Sequence, residues 1–172
     1  MLGAFLSILI SFFISIVHAQ SLRSIAIGES HLIPLSSSQI WLENSKVIKA
    51  TAQGSHLKIR GISVGTSQLQ IGNQIYQFDV YKNETIKLYD KLQNLQSQLV
   101  GIQFELANPN IRMTGKIHRW SDWQKISHQY IPGAQLQIDC DVSAQAKSEA
   151  FTYLQGELTK HRLPAQVIPI GE

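Results

Sequence analysis

The 172-residue chain is 44% hydrophobic and 16% charged, which excludes a disordered polar polypeptide. Its single cysteine, Cys140, excludes a disulfide-stapled scaffold, and its one continuous apolar stretch argues against a protein that crosses a membrane several times. With 15 Lys and Arg against 12 Asp and Glu, the chain carries a net charge of +3.

The first segment is an apolar run from Ala4 to Val17, which is typical of an export signal. The small residues Val17 and Ala19 predict cleavage between Ala19 and Gln20, so residues 1–19 form the expected signal peptide. The run is shorter than the roughly 20 residues that a bilayer span needs, which favours cleavage over the alternative of an uncleaved anchor. We therefore expect the mature protein in the periplasm.

Residues 20–82 carry short apolar runs separated by Gly, Asn and Ser, a pattern that predicts a small antiparallel β-sandwich. Strands are expected around Ser24–Gly28, Leu32–Leu35, Ile40–Leu42, Val47–Ala50, Leu57–Gly61, Leu69–Ile71 and Ile75–Tyr81. Pro34 indicates an edge strand, and Val64–Ser67 indicates a turn. Six basic and three acidic residues lie in this half, so it accounts for the whole net charge.

In residues 83–172 the apolar residues first recur at helical spacing and then switch between helical spacing and the alternation of strands. The expected elements are a helix over 85–98, strands over 102–106 and 111–117, a helix from Ser121 through Tyr130, a strand over Leu136–Val142, a helix after Ser143 and a last strand over Ala165–Ile170. The order αββαβαβ predicts an α+β module with helices on one face of a sheet. Leu136–Val142 is expected to be half-buried, and Trp120, Trp123 and Tyr130 are expected to face the core.

Two stretches carry a resemblance to a known family. Ser24–Ser30 with Leu32–Leu35, and the stretch Leu57–Leu69, resemble the N-terminal domain of type IVb and Tad pilus-assembly secretins. In that pattern Gly61, Gly65 and Thr66 belong to the turn motif, and Val64 stands where the family has proline.

The second half is similar to the BON-like modules that follow this domain, on the segment Ile111–Ile117. The sequence shows no run of alternating lipid-facing strands, so we expect the secretin channel domain to be lacking. The resemblance implies a non-enzymatic assembly or accessory protein of a pilus or secretion system. Its implied partner is a secretin or another envelope component, and a homo-oligomer is also possible.

The residues that could carry chemistry are dispersed along the chain. The histidines show no triad or ligand spacing; they include His31, His56, His118, His128 and His161. On a strand, Asp139 and Asp141 point away from Cys140, so the three cannot readily share a metal. We expect no enzyme activity, cofactor or metal, and Cys140 should pack as a small buried hydrophobe. The alternative for Cys140 is a thiol that pairs with another chain.

Three residues are candidates for partner contact. Trp41 alternates out of phase with Ile40 and Leu42, so it is exposed if they are buried. Lys46, Lys49, Lys58 and Arg60 could form a basic patch, in which Lys58 and Arg60 share one face of a strand. A solvated face is favoured over nucleic-acid binding, which export would also contradict. The alternative function is an envelope-surface module that binds phospholipid or peptidoglycan peripherally through this patch. Exposed strands could also pair edge to edge in a ring of subunits.

Overall fold

The computed structural model describes residues 21–165 and residue 167. The expected signal peptide with its cleavage site at Ala19 and Gln20, and most of the expected last strand, lie outside the described residues. Within the described residues, no helix is both long enough and apolar enough to cross a membrane.

The first half consists of seven strands, in line with the alternation of its side chains. They are β1 (Ser21–Ala26), β2 (Ser30–Pro34), β3 (Ile40–Leu42), β4 (Ile48–Gln53), β5 (His56–Gly61), β6 (Gly65–Ile71) and β7 (Gln74–Tyr81). They form two sheets with the strand orders β1-β7-β6-β3 and β2-β5-β4. Ile25, Phe78 and Val80 from the first sheet pack against Ile33 and Ile59 from the second in one buried cluster.

Two details of this half differ from the sequence prediction. β1 pairs with β7 in parallel rather than antiparallel register, so the first sheet is mixed. The prediction of a turn over Val64–Ser67 is wrong, because Gly65 and Thr66 already belong to β6 and pair with Val80 and Asp79. The connection is confined to residues 62–64. β2 does lie at a sheet edge, as Pro34 predicts.

Gly61, the last residue of β5, permits a close approach between strands of the two sheets. A Cβ at this position would lie 2.8 Å from the Ala26 carbonyl oxygen and 3.0 Å from Val80 Cγ1. Its amide donates a hydrogen bond to the Glu29 carbonyl, and its carbonyl accepts one from Gly28. Glycine is therefore required at this position, because the neighbouring backbone leaves no room for a Cβ atom.

In its described residues, the second half forms three helices and three strands: α1 (Asn83–Gln96), β8 (Ile102–Ala107), β9 (Asn110–Ile117), α2 (Trp120–Ser127), β10 (Leu136–Val142) and α3 (Ala144–Lys160). The sheet order is β10-β9-β8; β8 runs antiparallel to β9, and β10 runs parallel to it. Ser143 caps α3, since its Oγ accepts a hydrogen bond from the Ala146 amide at 3.1 Å.

The mixed α+β fold class predicted from the sequence is confirmed. The core of the second half is a separate cluster in which Leu88 and Leu92 of α1 pack with Phe104 and Met113 of the sheet. The opposite face of this sheet is polar, with Arg112 contacting both neighbouring strands through Glu105 at 3.4 Å and Asp139 at 3.3 Å.

The two halves meet at the end of β7. Tyr81 is buried, and its hydroxyl is within hydrogen-bonding reach of the Ser24 side chain and the backbone of Asn108, which lies in the β8–β9 turn. Asn108 Nδ2 also donates to Thr66 Oγ1 at 3.5 Å. Burial, followed by the nearby charge of Asp79, raises the pKa of Tyr81 to about 12.

Candidate interaction surfaces

An apolar groove lies beside β10, between the edge of the sheet and helices α2 and α3. We call it the β10 groove and define it by Trp120, Trp123, Ile138, Val142 and Ala146. Two cavities of about 270 and 420 Å³ make up the groove, and Trp123 and Ile138 line both. Ile138 is 48% exposed and Val142 is 43% exposed. The groove thus presents large aliphatic side chains to solvent.

The open groove corrects the expectation of a half-buried strand over Leu136–Val142. Leu136 and Cys140 do pack against the core, but Ile138 and Val142 are not covered. β10 lies at the edge of its sheet, and Ala146 is the only α3 residue that is buried within the described chain. A helix that contacts the sheet so lightly leaves much of the strand's apolar face uncovered.

The aromatic stripe expected on α2 is only partly present. Trp120 and Trp123 are half-buried in the walls of the groove, and the Trp120 ring contacts the Tyr153 ring with 5.9 Å between centroids. Tyr130 does not face the core, because α2 ends at Ser127, and Tyr130 is 65% exposed. The prediction that Tyr130 continues the helical face is therefore wrong.

Polar contacts attach α3 to the start of α2. The Glu149 carboxylate accepts a hydrogen bond from the Trp120 amide at 2.8 Å, which satisfies a free donor at the helix N-terminus. A hydrogen bond from the Gln145 side chain, then this amide, and then the charge of Arg119 lower the pKa of Glu149. Arg119 also binds the fully buried carboxylate of Asp122 through two hydrogen bonds of 3.0 Å.

The second surface is the edge of the four-stranded sheet at β3, which among the strands that the structure describes pairs only with β6. Trp41 is 54% exposed, and it lines a shallow depression of about 410 Å³ with Gln39 and Gln70. Ile40 is also exposed, so the premise that it is buried is wrong, while Leu42 packs against the core. Ile40 and Trp41 are therefore both exposed at this edge, on opposite faces of the strand.

The third surface is the outer face of the sheet β2-β5-β4, which we call the basic face. Its side chains are all exposed; they are Ser30, Leu32, Pro34, Lys49, Thr51, Gln53, His56, Lys58 and Arg60. The register places Lys49 of β4, one of the four cations of the predicted basic patch, directly opposite Arg60. Lys46, the fourth cation of that predicted patch, lies in the turn before β4 and does not belong to these strands.

The described residues hold no group of three or more His, Cys, Asp and Glu side chains that could bind a metal ion. Cys140 is a free, partly buried thiol. Burial, and then the charges of Asp139 and Asp141, raise the pKa of this thiol, which lowers its thiolate fraction at neutral pH.

Compared with models of known protein families and with curated proteins, the sequence matches none.

Proposed function

We propose that the protein is a periplasmic, non-enzymatic assembly or accessory protein of a pilus or secretion system. It acts by binding a secretin or a related envelope component through the β10 groove. The observation that carries this proposal is the exposure of Ile138 and Val142 on an edge strand between two helices. Exposed aliphatic side chains in a groove mark a protein-binding site more often than isolated apolar residues do.

The free edge of β10 and the apolar side chains beside it suit an extended segment of the partner. Within the described part of the chain, β10 pairs only with β9, so its outer edge offers backbone donors and acceptors to an added strand. Apolar side chains of that strand would pack beside Ile138 and Val142. On the other face, Asp141 is exposed, so a basic side chain of the partner would complement it.

The test is co-expression of the full chain with a secretin from the same cell envelope, followed by pull-down and measurement of the binding constant. The double variant Ile138→Ser/Val142→Ser removes the apolar contacts of the groove. Each half-exposed side chain should contribute about 1 kcal/mol when buried by a partner, so the variant should bind roughly 30-fold more weakly.

The matched control is Leu22→Ser/Val100→Ser, since both residues are exposed apolar side chains outside the groove. This variant should bind within a few-fold of the wild type. The proposal fails if the wild-type chain does not associate with the secretin and remains monomeric, or if both double variants lose binding equally.

A further inference from the structure

We infer that the basic face docks on a bilayer surface containing anionic phospholipid. This attachment is independent of the β10 groove, because the two surfaces lie on different sheets in different halves of the chain. The inference therefore does not depend on the secretin as a partner.

Sheet register gathers the cations of the basic face into one small area. Lys58 and Arg60 are two residues apart on β5, so their Cα atoms lie about 7 Å apart on the same face. Lys49 is the direct cross-strand neighbour of Arg60, at a Cβ separation of about 5 Å. Three positive charges therefore share a patch on the order of 10 Å across.

This patch is not neutralised by the protein. None of the three cations forms an ion pair with a carboxylate of the described residues. Like charges directly opposite each other destabilise a strand pair, so folding alone does not favour Lys49 opposite Arg60. An anionic partner would remove that repulsion.

The carboxylates of the first half are engaged elsewhere. Glu29 accepts a hydrogen bond from the Ala26 amide at 2.9 Å, and Glu43 accepts one from the Gln68 amide at 2.8 Å. Asp79 accepts a hydrogen bond from Thr66 at 2.7 Å. None of these carboxylates forms an ion pair with Lys49, Lys58 or Arg60.

The shape of the face favours a planar surface over a peptide or a glycan chain. It is the outer side of three paired strands with nine exposed residues in register. Leu32 is 56% exposed in the row that contains Lys58, so an apolar side chain projects among the cations. Basic groups that surround an exposed leucine match anionic headgroups above an acyl layer.

The experiment is sedimentation of the full chain with phosphatidylcholine vesicles, made with and without one third phosphatidylglycerol. The variant Lys49→Gln/Lys58→Gln/Arg60→Gln should lower partitioning onto the anionic vesicles roughly 100-fold at low salt, at about fivefold for each cation. Leu32→Ser should lower partitioning by up to about fivefold.

The matched control is Lys87→Gln/Lys91→Gln/Lys125→Gln, which removes the same charge from exposed positions on α1 and α2. It should change partitioning less than about threefold, since these cations lie off the face. All variants share residues 1–20, so binding through the N-terminal apolar run is the same in each. Circular dichroism checks the fold of each variant, and the single variant Lys58→Gln, expected to lose about fivefold, replaces a triple variant that does not fold.

Four results would overturn the inference. The first is partitioning that does not depend on phosphatidylglycerol, and the second is retention of binding by the basic-face variant. The third is an equal loss in the control variant, which would indicate a net-charge effect. The fourth is binding to peptidoglycan sacculi or to an acidic protein that requires the basic face while vesicles do not bind.

Discussion

A substitution at Gly115 offers a sharp test of the β8–β9 hairpin. Gly115 lies within β9 at φ +107°, a conformation that other residues rarely adopt. A Cβ there would overlap the Gly101 carbonyl oxygen and lie 3.0 Å from its carbonyl carbon. That oxygen already accepts a hydrogen bond from the Lys116 amide at 2.9 Å, so the backbone has little freedom to move.

The cost of Gly115→Ala has two parts. The unfavourable φ angle costs about 1–3 kcal/mol, and relief of the steric overlap by backbone shifts costs about 1–3 kcal/mol more. We therefore expect the free energy of unfolding to fall by about 2–6 kcal/mol. For a chain whose total stability is of the order of 5–15 kcal/mol, this is a large fraction.

The assay is urea unfolding followed by tryptophan fluorescence in a Trp41→Phe background. Trp120 and Trp123 then report on the half that contains Gly115. Gly156→Ala is the matched control, since it makes the same substitution in α3 where a Cβ meets nothing within 4 Å. It should raise the free energy of unfolding by about 0.5–1 kcal/mol.

The two alanine variants are therefore expected to shift stability in opposite directions. A Gly115→Ala variant that unfolds within 1 kcal/mol of the wild type would refute both the backbone angle and the close approach of Gly101. Destabilisation by Gly156→Ala would contradict the exposed helical environment of that residue.

Three further predictions concern buried and paired side chains. The pKa of Tyr81 is raised from 10.0 to about 12, so its contribution to stability is complete below pH 10 and is lost as the pH rises towards 12. Relative to Tyr81→Phe, the unfolding free energy of the wild type should therefore fall by about 1.4 kcal/mol per pH unit in that window. Equal slopes for the two proteins would contradict the burial of this phenol. Asp122→Asn should cost about 1–3 kcal/mol in urea unfolding, whereas Asp141→Asn, on an exposed carboxylate, should change stability by less than about 0.5 kcal/mol. The pKa of Glu149 is lowered, so the stabilisation that its hydrogen bond gives to the start of α2 is present above pH 4.5 and is lost as the pH falls below it. Amide exchange at the start of α2 should therefore accelerate on acidification in the wild type and show no such pH step in Glu149→Gln.

Alternation of side chains predicted the strands and helices that the structure describes. β5 illustrates this, since Leu57 and Ile59 are buried while Lys58 and Arg60 are exposed. The helix predicted over 85–98 is found at Asn83–Gln96, a shift of two residues. These features depend on neighbours close in sequence, so local periodicity contains them.

Sequence reasoning was less successful where distant segments decide the environment. It placed Gly65 in a turn, but pairing with Val80 makes it the first residue of β6. It expected Ile40 to be buried, but β3 lies at an edge that leaves the side chain exposed. Both errors arise because a short pattern does not specify which strand lies next to it.

The amino-acid sequence by itself determined the α+β class, the change of periodicity near Lys82 and the placement of Lys58 and Arg60 on the same face of one strand. Only the tertiary structure decided that Lys49 joins them, because antiparallel register places β4 beside β5. It also decided that Ile138 and Val142 stay uncovered, since α3 contacts the sheet edge through little more than Ala146. Periodicity records which side of an element is apolar, whereas the exposure of that side depends on how completely a neighbour distant in sequence packs against it.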